Sequence, residues 1–180
     1  MKHNIGIIYA SVDGHTKKIC EALQQTLSKE NLSSELHHID HLDFNISEYN
    51  TIIIGASVRY GKHNKNIINF IQNNAKQLNA INTALFSVNL VARKKEKSSL
   101  TTNPYMIKLL ESINWKADFM EVFAGKLDYT SYGFFDKLMI KLIMKFTNGP
   151  TTTDEPIVYT NWEKVHTFGM KIADHIKTLS

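Results

Sequence analysis

Short apolar runs rich in β-branched residues alternate along the chain with longer segments of helical periodicity. Residues 51–57 (TIIIGAS) are the strongest example of such a run, since a strand buried on both faces reads as a continuous apolar stretch. Strands that alternate with helices form a parallel sheet that is covered on both faces. We therefore predict a doubly wound α/β fold with a five-stranded parallel sheet in the order 2-1-3-4-5.

The apolar pattern places the individual elements. Strands are predicted at residues 4–10, 35–39, 51–57, 83–89 and 119–125. Helices with an apolar stripe are predicted at residues 14–29, 65–78, 104–113 and 161–179. The 180-residue chain contains no repeat, low-complexity tract or linker, so we expect one domain over residues 1–180.

Charge and cysteine content restrict the class of protein. A net charge of +4 is compatible with nucleic acid, an anionic membrane surface or an anionic small molecule. Basic and aromatic residues do not interleave on one face, so no nucleic-acid partner is expected. The single cysteine, Cys20, lies on an apolar helix stripe and is expected to pack there.

The amino-terminal apolar run is too short for a signal peptide, and no stretch reaches the ~18 apolar residues of a spanning helix. A cytoplasmic protein is therefore expected.

A cluster of histidines on the second predicted strand resembles a set of metal ligands. It comprises His37, His38 and His41 with Asp40. Neighbouring residues of a strand point to opposite faces, however, so His37 and His38 cannot face one ion. We therefore predict no metal site.

Residues 11–16, between the first predicted strand and the first predicted helix, have the composition of a phosphate-binding loop. A parallel sheet offers the free N–H groups of a helix N-terminus to an anion at this point. Ser11 and Thr16 add hydroxyls, and Gly14 allows close backbone approach. The loop matches neither G-x-x-x-x-G-K-[ST] nor G-x-G-x-x-G, which argues against ATP and dinucleotides. The predicted ligand is a phosphate monoester; the alternative is an ordinary turn capped by a serine or aspartate.

Two further loops are expected at the same edge, because ligands of parallel sheets bind beyond the carboxyl ends of the strands. They are residues 57–64 and 87–94, which follow the third and fourth predicted strands. Tyr60 is placed to stack on a flat ring, and Asn89 is placed to hydrogen-bond a ring edge. Basic residues gather in both loops, which favours an anionic substrate.

Several stretches outside the phosphate loop resemble one enzyme family. GASVRYGKHN, FSVNLVARKKEK, TNPY, DKLMIKLIMK and VYTNWEKV are similar to the flavodoxin-like, quinone-dependent protoporphyrinogen IX dehydrogenases of bacterial haem biosynthesis. The similarity runs over almost the whole chain. Residues 11–16 also resemble the flavodoxin phosphate loop, T/S-x-T-G-x-T, with Asp13 in place of the middle threonine. We expect the Asp13 carboxylate to point away from the phosphate or to cap the helix.

The resemblance implies a flavodoxin-like fold, FMN as cofactor, protoporphyrinogen IX as substrate, and menaquinone or ubiquinone as electron acceptor. The implied activity is that of an oxidoreductase acting on CH–CH groups; a flavodoxin-type electron carrier and an NAD(P)H:quinone reductase are the alternatives. Arg59, His63 and Arg93 are the candidates for binding substrate carboxylates, and no catalytic acid or base is assigned. The residues expected to contact FMN are Ser11, Val12, Asp13, Gly14, His15, Thr16, Ser57, Tyr60, Gly61, Ser87, Val88, Asn89, Leu90 and Val91.

Residues 126–156 form an insert between the fifth predicted strand and the last helix, too long for a simple connection. Within it, Phe134–Phe146 is apolar apart from one aspartate and three regularly spaced lysines. A helix of this length is roughly 20 Å long, too short to span a bilayer. Three roles are compatible with it: an interfacial helix that attaches the protein peripherally to the inner membrane, a lid over the substrate, or a core helix. The sequence leaves the oligomeric state and the choice of quinone open.

Overall fold

A central sheet of six strands organises the structure, a computed structural model that describes residues 4–42, 44–130, 133–146, 149–152 and 154–179. Five strands are parallel in the order β2-β1-β3-β5-β6, and the short β4 pairs antiparallel with β3. The predicted five-stranded parallel sheet and its order are therefore observed. The strands are β1 (Ile5–Ala10), β2 (Ser34–His38), β3 (Thr51–Arg59), β4 (Lys62–His63), β5 (Asn82–Asn89) and β6 (Phe119–Ala124).

Helices cover both faces of the sheet. The helices are α1 (His15–Lys29), α2 (Lys65–Leu78), α3 (Pro104–Ile113), α4 (Phe134–Phe146) and α5 (Trp162–Thr178). Helices α1 and α5 pack together on one face, and α2 and α3 pack on the other. Alternate strand residues supply the two cores: Ile7 and Ile53 face α1 and α5, whereas Ile8 and Ile54 face α2 and α3. Burial on both faces explains why these strands read as unbroken apolar runs.

The N-terminus of one helix, unlike three others, has no side-chain cap. Asparagine side chains cap α2, α3 and α5 through Asn64, Asn103 and Asn161, each accepting a hydrogen bond from a first-turn N–H. In contrast, α1 begins after Gly14, whose φ of 72° is left-handed and which offers no side-chain cap. The first N–H groups of α1 therefore lack a side-chain acceptor, and they lie at the carboxyl edge of the sheet.

The predicted bounds of α2 and α3 agree with the observed ones, and most others differ by one or two residues. Strand β3 continues to Arg59, two residues beyond the prediction, because the chain turns at Tyr60 and Gly61 and β4 pairs back onto it. The sequence analysis missed β4 and the antiparallel pair β7 (Lys126–Leu127) and β8 (Ile157–Val158). Two-residue strands are too short to show a period of two.

Helix α4 lies in the insert, where an amphipathic helix was predicted, and its sides have different surroundings. Its Met144 is fully buried and packs with Leu127 and Tyr129 in a small cluster beside the main cores. The core interpretation therefore describes one side of the helix. An outward side exposes Phe134, Phe135, Leu138, Leu142 and Phe146. Within the described part of the chain, no helix is both long enough and apolar enough to cross a membrane.

We expect Gly55→Ala to destabilise the protein by about 1–3 kcal/mol, because overpacking a dense core forces strain. The added methyl group would lie 2.5 Å from Cζ of the buried Phe86 ring. Gly133→Ala is the matched control, since no atom lies within 4 Å of the position of its methyl group. Urea denaturation measures the free energy of unfolding, and equal values for Gly55→Ala and the unsubstituted protein would contradict the packing described for β3.

Candidate functional site

A pocket opens at the carboxyl edge of the sheet, between the segments that follow β1, β3, β5 and β6, with α4 as an additional wall. This is the edge predicted from the parallel arrangement of the strands. Of the residues expected to contact FMN, all but Gly14 and Ser87 line the pocket. The lining residues are Ser11, Val12, Asp13, His15, Thr16, Ser57, Val58, Arg59, Tyr60, Gly61, Val88, Asn89, Leu90, Val91, Tyr105, Gly125, Lys126, Asp136, Met139, Ile140 and Ile143.

The loop at residues 11–16 presents unused hydrogen-bond donors to this pocket. Thr16 is only 2% exposed, yet neither its hydroxyl nor that of Ser11 forms a hydrogen bond with another described residue. No atom lies within 4 Å of the space beside Cα of Gly14 that a side chain would fill. With the uncapped N-terminus of α1, these groups form a cradle suited to the oxygens of a phosphate monoester. The residues therefore fit the phosphate of FMN.

Asp13 does not cap α1, so of the two expectations for its carboxylate the capping one is wrong. Its two carboxylate oxygens accept hydrogen bonds from Arg59 Nη1 at 3.0 and 3.1 Å. Arg59 Nη2 donates to the carboxylate of Asp136 on α4, and the Tyr60 hydroxyl donates to the same carboxylate. The negative charge that this chain adds to the phosphate loop is therefore neutralised by a neighbouring guanidinium.

The turn between β3 and β4 places Tyr60 at the pocket mouth. Tyr60 and Gly61 have φ values of 49° and 75°, the left-handed conformation of a tight turn. The Tyr60 side chain is 56% exposed, and the Arg59 guanidinium lies 5.4 Å from its ring centroid. An exposed aromatic ring at this edge is suited to contact a flat ligand, and the stacking of Tyr60 on such a ring stays a prediction.

The end of β5 contributes a buried polar network. Asn89 Nδ2 donates to Ser87 Oγ at 3.1 Å, and Asn103 Nδ2 donates to Asn89 Oδ1 at 3.0 Å. Asn89 Oδ1 also accepts from the N–H of Ala92 at 3.1 Å. The carboxamide predicted to reach a ring edge is therefore engaged within the protein and fixes the loop, and Ser87 lies beneath the pocket surface at 0% exposure.

Two of the three residues that were predicted to bind substrate carboxylates do not line the pocket. His63 Nε2 lies 2.8 Å from Ser87 Oγ, and burial lowers the pKa of His63 to about 4. The imidazole is therefore neutral near pH 7 and supplies no positive charge. Arg93 Nη1 donates to the carbonyl of Leu90 at 3.0 Å, and its guanidinium lies 5.9 Å from the Tyr159 ring centroid. Arg59 alone of the three borders the pocket.

His15 is held by a partner that the sequence analysis missed. Thr160 Oγ1 donates to the carbonyl of Ala124 at 2.6 Å, so its oxygen accepts from His15 Nε2, also at 2.6 Å. This arrangement assigns the proton of the neutral ring to Nε2. Burial, with the charges of Lys126 and Lys18, lowers the pKa of His15 to about 4. His15 is thus a neutral ring at the edge of the phosphate cradle.

The sequence analysis also missed the pocket residues that follow β6. Lys126 lines the pocket directly after β6 and pairs with Asp128 at 2.8 Å. The rule that singled out the ends of the third and fourth predicted strands applies equally to the fifth, so this lysine could have been found. No comparable signal marks Asp136, Met139 or Ile140, because only the tertiary structure brings α4 to the pocket.

The histidine cluster on β2 has other contacts. His37 Nε2 lies 2.9 Å from the Tyr49 hydroxyl, and His38 Nδ1 accepts from the N–H of Asp40 at 3.3 Å. Across the described ranges, no three side chains of histidine, cysteine, aspartate or glutamate are grouped so as to hold a metal ion.

This chain is similar to a known domain family and to named enzymes. The flavodoxin domain family matches residues 6–154. Proteins named protoporphyrinogen IX dehydrogenase [quinone] from Leishmania major and Escherichia coli K12 are each 38% identical to this chain over 93% of its length, and the matches cover 73% and 93% of those proteins.

Solved structures support the fold alone. A flavodoxin from the domain Archaea superposes with a TM-score of 0.57 at 14% identity, over 97% of this chain and 99% of that one. Rubredoxin oxygen:oxidoreductase from Desulfovibrio gigas superposes with a TM-score of 0.56 at 14% identity, over 97% of this chain and 36% of that one.

We expect the stability of the protein to decrease as pH falls from 6.5 towards 4, and His63→Gln to reduce this dependence. The pKa of His63 falls from 6.5 to about 4 on folding because of burial, so the unfolded chain binds a proton between these values that the folded protein does not. The expected contribution of His63 is roughly 1–3 kcal/mol. Urea denaturation at a series of pH values measures it, and His41→Gln, at an exposed histidine, is the control. An unchanged pH dependence in His63→Gln would contradict the burial of a neutral imidazole.

Proposed function

The chain belongs to the flavodoxin domain family and, within it, to the quinone-dependent protoporphyrinogen IX dehydrogenases, and on this premise we propose that it oxidises protoporphyrinogen IX to protoporphyrin IX with bound FMN and passes the electrons to a quinone. The observation that carries the proposal is the cradle at residues 11–16. It combines an uncapped helix N-terminus, two hydroxyls that form no hydrogen bond with another described residue, and an apolar pocket beside them. FMN supplies the redox chemistry when bound.

The residues of the pocket have separate tasks in this proposal. Ser11, Thr16 and the first N–H groups of α1 bind the phosphate of FMN. Tyr60, Val88 and Val91, which line the pocket, would hold the flavin ring. The pocket-facing side of α4, with Met139, Ile140 and Ile143, excludes water from the reacting ring.

Substrate carboxylates are proposed to meet positive charge at the pocket mouth. Arg59 and Lys126 line the pocket, each already paired with a carboxylate of the protein. The propionates of protoporphyrinogen IX are anionic, so these two cations are better placed to attract them than the neutral His63 or than Arg93, which does not line the pocket. The choice between menaquinone and ubiquinone is not determined by these contacts.

Anaerobic addition of protoporphyrinogen IX to the FMN-loaded protein tests the activity. We expect the absorbance of the oxidised flavin to bleach and to recover when a soluble quinone is added, because the proposed reaction moves electrons through the flavin. Bleaching by NADH but not by protoporphyrinogen IX would overturn the proposal in favour of an NAD(P)H:quinone reductase. Bleaching by neither would favour an electron carrier.

A matched pair of variants tests the cofactor site itself. Thr16→Val removes a hydroxyl from the cradle and is expected to raise the dissociation constant of FMN about tenfold, since a hydrogen bond to a charged group is lost. Thr178→Val, at an exposed threonine near the other end of the molecule, is expected to leave it unchanged. Equal affinities for FMN in the two variants would argue against phosphate binding at residues 11–16.

We also propose that the outward side of α4 attaches the protein peripherally to the inner surface of the cell membrane. Five large apolar side chains are exposed there: Phe134 at 78%, Phe135 at 77%, Leu138 at 51%, Leu142 at 44% and Phe146 at 85%. Lys141 and Lys145 are exposed on the same helix, which favours anionic head groups. This location would bring the pocket wall close to a quinone dissolved in the membrane.

Vesicles that contain phosphatidylglycerol test the attachment. The double variant Leu138→Ser, Leu142→Ser is expected to bind them at least about tenfold more weakly, because two exposed apolar side chains no longer enter the lipid. Leu179→Ser is the control, since Leu179 is 56% exposed at the end of α5. Unchanged vesicle binding with a loss of self-association in sedimentation would show instead that a second copy of the chain covers α4.

A further inference from the structure

We infer that Arg59 is a positioning residue that ties helix α4 to the phosphate loop and so holds α4 closed over the pocket. Its two guanidinium nitrogens bind carboxylates from different segments. Nη1 donates to both oxygens of Asp13 at 3.0 and 3.1 Å, and Nη2 donates to Asp136 in the first turn of α4. The Tyr60 hydroxyl donates to the second oxygen of Asp136. A planar guanidinium is suited to join two carboxylates in a fixed relative position.

The rest of α4 explains why this contact matters. Its buried anchor, Met144, lies near the carboxyl end, whereas Phe134 and Phe135 at the amino end are exposed. Among the described residues 133–139, Asp136 is the one whose side chain hydrogen-bonds to another element. The first turn of α4 is therefore held to the rest of the protein through this carboxylate, one turn before Met139 and Ile140.

Burial strengthens the contact. The side chains of Asp136 and Arg59 are 17% and 28% exposed, so solvent screens their attraction less than it screens a pair on the open surface. Met139 and Ile140 lie about one turn further along α4 and line the pocket. When Asp136 is released, this wall of the pocket is free to move outward, and when it is bound, the wall is closed.

The same guanidinium controls the charge of the phosphate loop. Asp13 carries a negative charge within the loop that is proposed to bind a phosphate, and Arg59 neutralises it. Closure of α4 and a phosphate loop able to accept an anion thus depend on one side chain. The consequence for FMN rests on the proposed function; the consequence for the mobility of α4 does not.

Asp136→Asn tests the tie directly, with Asp174→Asn on the exposed side of α5 as the matched control. Two measurements are made on the full chain: amide hydrogen exchange of Phe134–Phe146, with and without FMN, and the rate of FMN dissociation, followed by flavin fluorescence. We expect Asp136→Asn to accelerate both about tenfold, as for a lost hydrogen bond between charged groups, while exchange in α1 and α5 is unchanged. Exchange and dissociation rates equal to those of Asp174→Asn would overturn the inference.

Arg59→Gln and the double variant Arg59→Gln, Asp13→Asn separate the charge from the tie. The single variant is expected to bind FMN at least about tenfold more weakly, because Asp13 is left unneutralised beside the phosphate. The double variant is expected to recover affinity but to keep fast exchange in α4, since Asp136 still lacks the guanidinium of Arg59 and keeps only the Tyr60 hydroxyl among its described partners. Recovery of slow exchange in the double variant would contradict the tie. Lys62→Gln, at an exposed lysine on the next strand, controls for loss of a positive charge.

These outcomes are distinguishable from failure of the proposed function. If the expected exchange and dissociation rates are observed but protoporphyrinogen IX does not bleach the flavin, the tie is supported and the proposed activity is wrong. If the protein does not bind FMN, the cofactor assignment is wrong. The exchange rates of α4 in the FMN-free protein then still decide whether Asp136 holds the helix.

Discussion

The parallel direction of the five long strands is the constraint on which the rest of the structure depends. Because β1, β3, β5 and β6 all end at one edge, the segments that follow them meet there and enclose the pocket. Helix α1 also begins at this edge, after Gly14, with no side-chain cap. The arrangement that buries two apolar cores therefore leaves N–H groups and hydroxyls without a side-chain partner, among the residues that the structure describes, in one place, where they suit a phosphate.

The charged side chains around the pocket are paired with neighbours of opposite charge. Arg59 binds Asp13 and Asp136, and Lys126 binds Asp128. Burial keeps His15 and His63 neutral by lowering the pKa of each to about 4. The site thus has fixed hydrogen-bonding groups, and each of these charged side chains lies beside an opposite charge. The pairing of Asp13 with Arg59 allows an aspartate to occupy a loop in which it would otherwise repel an anionic ligand.

Helix α4 combines roles that are alternatives only when a helix is considered to have one face. Met144 packs in a small core, Met139 and Ile140 line the pocket, and Leu138 and Leu142 face outward. A helix turns by about 100° per residue, so the thirteen residues of α4 point in all directions around its axis. Three sides of the helix can therefore have three different environments. The proposed membrane contact and the proposed closure over the pocket would use different sides of the same helix.

The sequence by itself determined the five long strands, the helices and the position of the loop at residues 11–16, because periodicity and turn residues are local properties of the chain. The strand order followed from the fold class that the alternation of strands and helices indicates. It also determined family membership through stretches spread along its length. Only the tertiary structure decided which basic side chains reach the pocket: His63 bonds to a serine 24 residues away, and Arg59 reaches an aspartate 77 residues away. No local pattern predicts such pairs, since they depend on how the sheet brings distant segments together. Packing and charge pairing therefore decided where each side chain at the carboxyl edge points. The order of strands and helices decided which segments meet at that edge.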